Sequence, residues 1–295
     1  MPAMAQSRIA LTFDDLPYQG GQGGRAIEPD PASWQLTTQL MLDALSAAQA
    51  PAMVFVNCGA LDDDDKLVSQ WRDAGHTIGN HTAHHLSAAD GDLDHWMSGV
   101  RQCDGLWSPG SGLTRWFRFP YLRRGETVER RDAVLGALKS AGYTTVPATA
   151  DSLDWLFEFY RRQLISVEAS EDIHKRIVQR YVQHVTEAVV EASRVSVEKL
   201  GRDIPHIALF HVNDITAQAL PEILRNLQRN GVEFIDLAQA MSDPVYAEAD
   251  AWVGPYSRMW LGRTAPTQRP DGSSWYRASE ASVRVELEAL LTEFN

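Results

Sequence analysis

Short apolar segments alternate with helical patterns along most of the chain, and this alternation constrains the fold more than any other feature. Strands are predicted at Arg8–Phe13, Met53–Asn57, His76–Gly79, Trp116–Pro120, Thr144–Pro147, His206–Val212 and Glu233–Ile235. Helical patterns lie between them near 32–49, 63–74, 91–107, 126–141 and 221–230. Strands that alternate with helices indicate an α/β domain with a parallel sheet. About seven strand–helix units favour a (β/α) barrel over an open sheet.

Two segments interrupt this alternation. Residues 156–203 form a long, polar and largely helical run, which we interpret as a helical insertion beside the barrel. Residues 243–295 combine loop-forming residues with one terminal helical pattern, which we interpret as an extension packed on the barrel. The predicted organisation is therefore a barrel domain over 1–242 and a C-terminal extension over 243–295.

The composition fits a globular chain and excludes several kinds of partner. Of the 295 residues, 44% are hydrophobic and nine are tryptophan, which is enough for a sizeable core. The formal net charge of −12 argues against nucleic acid or an anionic membrane surface as the main partner. No apolar run approaches the roughly 18 residues that a membrane-spanning helix needs, so no span is predicted.

Two cysteines are too few for a disulfide scaffold or a four-cysteine zinc site. Cys58 and Cys103 either form a single bridge or remain two buried thiols, and the sequence does not decide between these states. The residues Ala3, Met4 and Ala5 resemble the small-residue end of a secretory signal. We therefore expect an exported protein, with a cytoplasmic location as the alternative.

Two stretches have the composition of ligand sites but a simpler interpretation. The sequence GGQGG at 20–24 lacks the lysine and the hydroxyl residue of a phosphate-binding loop, so we interpret it as a flexible loop. The acidic run Asp62–Asp65 opens a predicted helix, where carboxylates complement the exposed N–H groups. Neither stretch is predicted to hold a ligand.

Two neighbouring carboxylates, Asp14 and Asp15, end the first predicted strand in the stretch IALTFDDLP. Adjacent like charges are unfavourable unless a cation, a proton or water offsets them. The pair therefore indicates either a partner elsewhere in the chain or an ordinary pair of carboxylates without a special role.

The stretch GNHTAHH contains imidazoles that suit such a partner. His81 and His85 have an i, i+4 spacing, with His84 between them. Two neutral imidazoles and one carboxylate form a zinc-type ligand set with open coordination positions. A solvent-exposed pair of histidines on a helix is the alternative. Both motifs directly follow predicted strands, and such strand ends meet at one face of a (β/α) barrel, which favours a shared metal site.

Three further stretches also lie at strand ends. FRFPY places Arg118 on a strand and Tyr121 at its exit, DSLDW places Asp154 beside Trp155, and ALFHVND ends a strand in His211. Taken alone, Arg118 reads as a surface ion pair, Trp155 as core and His211 as a buried structural histidine. Five polar endings on successive strands are better explained by one shared site.

The motifs TFDD, HTAHH, RFPY, DSLDW and LFH, in this order, resemble the five motifs of the polysaccharide deacetylases. These are the NodB-homology enzymes of carbohydrate esterase family 4. The resemblance covers about residues 8–240, excluding 156–203. It implies a distorted (β/α) barrel and a divalent metal, usually zinc and sometimes cobalt or nickel. The implied reaction is hydrolysis of an N- or O-acetyl group on a sugar.

The resemblance implies a metal centre with an adjacent base. The implied metal ligands are Asp15, His81 and His85. The implied general base is Asp14, and Arg118 is the residue that holds it. The metal would be the cation that lets both neighbouring carboxylates remain charged, and a nearby guanidinium favours the ionised form of the base.

The resemblance implies a second group of residues around the acyl group. The implied general acid is His211, tuned by Asp154. The backbone N–H of Tyr121 would bind the oxyanion. The side chains of Trp155 and Leu209 would line the acetyl pocket.

One position differs from the pattern of that family, and one histidine has no place in it. Leu122 follows Tyr121 where many members have glycine, which predicts an altered loop after this strand. His84 is not needed as a ligand, and its competition with His85 for the metal is the alternative.

We expect a metal-dependent hydrolase that removes an acetyl group from an acetylated glycan or oligosaccharide. One alternative keeps the metal chemistry and acts on a small non-sugar amide. Another is an inactive glycan-binding protein on the same scaffold, against which the intact set of site residues argues.

Overall fold

The computed structural model describes residues 7–19, 31–61, 66–89, 91–106, 115–255, 258–264 and 275–293. In this part of the chain, one parallel sheet contains eight strands. They are β1 (Arg8–Leu16), β2 (Ala52–Val56), β3 (Thr77–Asn80), β4 (Arg115–Phe117), β5 (Tyr143–Thr145), β6 (Ala150–Asp151), β7 (His206–His211) and β8 (Glu233–Phe234). The secretory-signal end, the GGQGG loop and the acidic run Asp62–Asp65 lie outside the described residues.

The sheet is curled around β1, which pairs with β2 on one side and with β7 on the other. The strand order is β5-β4-β3-β2-β1-β7-β6, and β8 pairs with the first residues of β1. Only residues 146–149 separate β5 from β6, so the chain itself passes from one edge of the sheet to the other. These features confirm the predicted α/β fold with a distorted (β/α) barrel.

Two strand predictions differ from the structure. The sequence does not predict β6, because two residues show no periodicity. The strand predicted at 116–120 ends at Phe117, since Pro120 begins a 3-10 turn and proline has no N–H for a strand ladder. Arg118 therefore follows the strand instead of lying on it.

Ten α-helices are described around this sheet. They are α1 (Pro31–Ala47), α2 (Lys66–Asp73), α3 (Leu93–Gln102), α4 (Val128–Ser140), α5 (Asp154–Ser166), α6 (Glu171–Leu200), α7 (Asp214–Arg229), α8 (Leu237–Met241), α9 (Trp260–Arg263) and α10 (Trp275–Thr292). The helix α7 begins seven residues before the predicted range, because the side chain of Asn213 caps it by accepting from the Thr216 N–H. The predicted range near 126–141 agrees closely with α4.

The alternation of residues along β1 separates two environments. Ile9, Leu11 and Phe13 belong to the large apolar cluster beneath the helices. Ala10 belongs to a second cluster, and Asp14 lies on the same side of the strand because side chains two and four positions apart share a face. The interior of the curled sheet is therefore apolar at one end and carries carboxylates at the other.

The segment 156–203 is helical, as predicted, and is integrated into the fold. The helix α6 buries residues at helical spacing, including Ile173, Ile177 and Tyr181, and packs against β6, β7 and α7. The helix α5 begins at Asp154, inside the DSLDW motif. Whether these helices form an insertion into an otherwise minimal domain stays a prediction, as does the boundary at 242.

The C-terminal segment contributes directly to the core. Val245, Tyr246, Trp260 and Leu261 pack with residues of the sheet interior. The backbone N–H of Trp260 donates to the carbonyl of Ala148, which lies between β5 and β6, over 2.7 Å. The helix α10 packs on α5 and buries Val283 and Leu287, so the extension covers the sheet at two places.

Cys58 and Cys103 form a disulfide with a Cα–Cα distance of 5.5 Å, which decides between the two states left open by the sequence. The bridge joins the turn after β2 to the end of α3. None of the described helices is long and apolar enough to cross a membrane.

Candidate active site

Side chains from four strand ends converge at the carboxyl edge of the sheet, where parallel strands bring their termini together. Asp14 and Asp15 lie at the end of β1, and His81 directly follows β3. Arg118 directly follows β4, and His211 ends β7, opposite Asp14 in the register of the two strands. The convergence predicted from the sequence is therefore present.

Asp15, His81 and His85 form a group whose ligand atoms all lie within 4.8 Å of one another. The Asp15 Oδ1 atom is 3.5 Å from His81 Nε2 and 3.3 Å from His85 Nε2. This oxygen is buried and accepts no hydrogen bond among the described residues. A buried acceptor without a donor is costly, and a cation offsets that cost. The donor set fits a divalent metal of the zinc type.

The imidazole of His81 is oriented and neutral, as a metal ligand must be. Its Nδ1 atom lies 2.9 Å from the carbonyl oxygen of Arg118. Because a carbonyl only accepts, Nδ1 carries the proton and Nε2 directs its lone pair toward Asp15. Burial and the neighbouring His85 lower the pKa of His81 well below its ordinary value.

The histidine loop is irregular, so the interpretation of its histidines as an exposed helical pair is wrong. Residues 81–85 contain no helix, and Thr82 and His85 have positive φ angles of 65° and 52°. His84 is exposed and lies outside the group that Asp15 joins.

The side chain of Asp14 is buried beside that of Arg118. The Arg118 Nη1 atom is 3.5 Å from Asp14 Oδ1, and Nη2 donates to Thr12 Oγ1 over 2.9 Å. The guanidinium also lies over the ring of Phe55, 4.7 Å from its centroid. Because Arg118 is fully buried, its interpretation as a surface ion pair is wrong. Burial raises the pKa of Asp14 to about 7, against the opposing effect of Arg118.

His211 and Asp154 form a short ion pair on the other side of Asp14. The His211 Nδ1 atom is 2.6 Å from Asp154 Oδ1, and the His211 backbone N–H donates to Oδ2. The Thr216 hydroxyl donates to the same Oδ2 over 2.8 Å, and the backbone N–H of Trp155 donates to Oδ1. Burial alone lowers the pKa of His211, but the charges of Asp154, Asp15 and Asp14 raise it overall to about 10.

The remaining predicted residues surround this centre. Tyr121 has a left-handed backbone with φ 58°, is 44% exposed, and points its ring edge-on to His85 at a centroid distance of 4.4 Å. The following Leu122 is also left-handed, with φ 53°. Leu209 lies two residues before His211 on β7 and packs in a small cluster with Leu122. Trp155 is half-buried in the first turn of α5.

The comparison with protein families agrees with this fold. The polysaccharide deacetylase family model matches residues 2–146. This span contains the Asp15, His81 and His85 group together with Asp14 and Arg118. Over this span the chain is similar to the polysaccharide deacetylases. It is a polysaccharide deacetylase-like hydrolase that acts on carbon–nitrogen amide bonds other than peptide bonds.

Individual relatives agree with this assignment. The chain is 26% identical over 235 residues to a peptidoglycan-N-acetylglucosamine deacetylase of Bacillus cereus, and the match covers 79% of this chain and 87% of that protein. The crystal structure of a polysaccharide deacetylase from Bacillus cereus has a TM-score of 0.53 at 20% identity, and the match covers 78% of this chain and 91% of that chain. That likeness shows a shared fold.

A second solved structure is also similar to this chain. It is a mutant of a CE4 family pseudoenzyme of Bacillus anthracis with restored enzymatic activity. Its TM-score is 0.56 at 16% identity, and the match covers 81% of this chain and 69% of that chain. That likeness also shows a shared fold.

Sequence reasoning missed three polar residues that support this site. Thr12 lies on the same strand face as Asp14, a period-two signal that identifies it. Asn57 directly follows β2 and donates to the carbonyl of His81, so the strand-end rule also identifies it. Thr216 reaches Asp154 from α7, and no local pattern indicates this contact.

Proposed function

We propose that this protein is a metal-dependent hydrolase that removes an acetyl group, N-acetyl or O-acetyl, from a carbohydrate. The observation that carries the proposal is the unpaired, buried Asp15 Oδ1 facing two imidazole nitrogens. Beside this group lie a carboxylate with an arginine partner, Asp14, and a histidine with a carboxylate partner, His211. These are the parts that amide hydrolysis requires: a base, an acid and a centre that stabilises negative charge.

The metal ligands in this proposal are Asp15, His81 and His85, and the metal is zinc, with cobalt or nickel as alternatives. When bound there, a divalent ion supplies Lewis acidity that lowers the pKa of water and polarises the substrate carbonyl. The hydrogen bond from His81 Nδ1 to the Arg118 carbonyl fixes the ring for this role.

Asp14 is the proposed general base. Arg118 approaches its Oδ1 atom, which leaves Oδ2 as the oxygen that takes a proton from the attacking water. Arg118 is itself held by Thr12 and by the face of Phe55, so the carboxylate is oriented by a rigid partner. A pKa of about 7 for Asp14 gives a base matched to neutral pH.

His211 is the proposed general acid. Its Nδ1 atom faces Asp154, so the Nε2–H is the bond that delivers a proton to the leaving nitrogen. Asp154 keeps the imidazole protonated and fixes its plane, and the Thr216 hydroxyl and the Trp155 N–H fix Asp154 in turn. A positioned acid of this kind contributes about 10²–10⁴-fold to rate.

Tyr121, Trp155 and Leu209 are proposed to bind the acyl group. The left-handed backbone at Tyr121 directs its N–H differently from that of a regular strand, which suits an oxyanion donor. One such donor is worth about 2.7–4 kcal/mol in transition-state stabilisation. Leu209 shares its strand face with His211, which places an apolar side chain near the acid.

The proposed substrate is an N-acetylated glycan or oligosaccharide in an exported setting. The name of the Bacillus cereus relative supports the N-acetyl sugar. The disulfide between Cys58 and Cys103 supports export, because disulfides persist mainly in oxidising compartments.

The proposal is tested by acetate release from chitooligosaccharides, peptidoglycan fragments, acetylxylan and small amides. We expect acetate release from an acetylated glycan. A chelator should abolish this release, and added zinc, cobalt or nickel should restore it. Asp14→Asn is expected to abolish turnover while metal binding is retained. Full activity after chelation, or full activity of Asp14→Asn, contradicts the proposal.

A further inference from the structure

The metal-ligand loop, residues 81–85, has a conformation that its own sequence does not favour. Thr82 has φ 65° and His85 has φ 52°, and neither residue is glycine. A left-handed conformation is rare for non-glycine residues and is an outlier for a β-branched one. Such a conformation persists only where surrounding contacts determine it. The contacts on both sides of this loop therefore decide where the two ligand imidazoles, those of His81 and His85, lie.

The segment 57–59 holds the loop from one side. Asn57 Nδ2 donates to the carbonyls of His81 over 2.8 Å and Thr82 over 3.2 Å. The Gly59 N–H donates to the Ala83 carbonyl over 3.1 Å. A Cβ atom on Gly59 would lie 2.6 Å from that carbonyl oxygen. The two backbones are therefore in direct contact, with no space between them for a side chain.

The last turns of α3 hold the loop from the other side. The Ala83 N–H donates to the Gly99 carbonyl over 2.9 Å. Asn80 Nδ2 donates to the Val100 carbonyl over 2.9 Å, and Asn80 Oδ1 accepts from the Thr82 N–H over 2.7 Å. Ala83 thus bonds to both sides, through its carbonyl to the first and through its N–H to the second.

The disulfide joins these two sides covalently. Cys58 lies between Asn57 and Gly59, and Cys103 is the residue that follows α3. We propose that the Cys58–Cys103 disulfide is a positioning device for the metal-ligand loop. It fixes the distance between the segment 57–59 and the end of α3, and this distance places His81 and His85 for metal binding. The disulfide thereby sets the affinity of the site for its metal. This inference rests on the metal site of the proposed function.

A disulfide that served stability alone would leave the metal affinity of the folded protein unchanged, and this difference is measurable. The test compares wild type with Cys58→Ala/Cys103→Ala at a temperature where both are folded by circular dichroism. The zinc dissociation constant is measured by competition with a chromophoric chelator, and the cobalt-loaded forms are compared by visible absorption. We expect the double variant to raise the dissociation constant about 10–100-fold, as loss of support for a ligand does, and to alter the cobalt spectrum.

The control variant is Leu287→Ala, which removes a fully buried side chain of α10, an element that packs on α5. It is expected to lower thermal stability and to leave the zinc dissociation constant and the cobalt spectrum unchanged. An unchanged constant in the folded double variant overturns the inference. If wild type itself binds neither ion, the proposed metal site fails instead, so the two failures are distinguishable.

A second variant decides the question if the double variant does not fold. Gly59→Ala keeps the disulfide but adds a methyl group against the Ala83 carbonyl and the His84 imidazole. A raised zinc dissociation constant in this variant supports the positioning role of the segment 57–59. An unchanged constant contradicts it.

Discussion

The metal side and the acid side of the site are built in different ways. On the metal side, His81 and His85 lie on an irregular loop, and Asp15 has a left-handed backbone with φ 68°. On the acid side, His211 ends a regular strand and Asp154 begins a helix. The first side depends on backbone contacts and one covalent link, whereas the second depends on a buried ion pair. The two sides should therefore fail differently when they are altered.

The largest effect is expected for the metal side. His81→Ala removes a buried ligand, so we expect metal affinity to fall by more than about 100-fold, because loss of mere ligand support already costs 10–100-fold. Activity should fall with it. The measurement is metal content after dialysis together with acetate release. The matched control is His84→Ala, which removes the exposed imidazole of the same loop and should leave affinity within about twofold. Equal losses in the two variants would show that His84 is a ligand.

The acid side should lose rate and keep its metal. His211→Ala removes the proposed proton donor, so kcat should fall about 10²–10⁴-fold. The zinc dissociation constant should be unchanged, since the ligand set is intact. Single-turnover kinetics and chelator competition measure the two quantities. A loss of metal that parallels the loss of rate would refute the division into two sides.

The ion pair should control the pH range of activity. The raised pKa of His211, about 10, keeps the acid protonated to alkaline pH. Asp154→Asn removes the main negative partner of His211, so the pKa of His211 should fall by about 1–3. The loss of activity on the alkaline side should then begin at a lower pH than in wild type. The expected result is an acidward shift of the alkaline limb of kcat/KM. An alkaline limb at the wild-type position would exclude Asp154 as the tuning residue.

A smaller effect is expected for the hydrogen bond that supports this pair. Thr216→Val removes the hydroxyl that donates to Asp154 Oδ2 and keeps the shape of the side chain. We expect kcat to fall about 2–13-fold, which corresponds to the roughly 0.5–1.5 kcal/mol of a typical hydrogen bond. Steady-state kinetics checks the value. A loss as large as that of His211→Ala would mean that Thr216 has a role beyond support.

The sequence predicts the parts of this architecture that follow from local pattern. Asp14, Asp15 and His81 are predicted to meet because each lies at a strand end, and parallel strand ends share one edge of the sheet. The fold class follows from the same alternation of strands and helices. No such rule indicates the left-handed backbone at Asp15, because an aspartate is compatible with several conformations.

Contacts between distant segments could not be predicted. Thr216 reaches Asp154 across 62 positions of the sequence, and the Cys58–Cys103 bridge required the placement of α3. The irregular path of the histidine loop depends on Asn57 and on the end of α3 instead of on the helical spacing of its histidines. These features arise from packing, and a single sequence carries no periodic signal for them.

The central claim is that Asp15, His81 and His85 bind one divalent metal beside Asp14. The most direct measurement is a crystal structure of zinc-loaded protein with anomalous diffraction data collected at the zinc edge. The account predicts one anomalous peak in contact with Asp15 Oδ1 and the Nε2 atoms of both histidines, with Asp14 outside its ligand shell. A peak elsewhere, or these three side chains pointing apart in the zinc-loaded crystal, would contradict it.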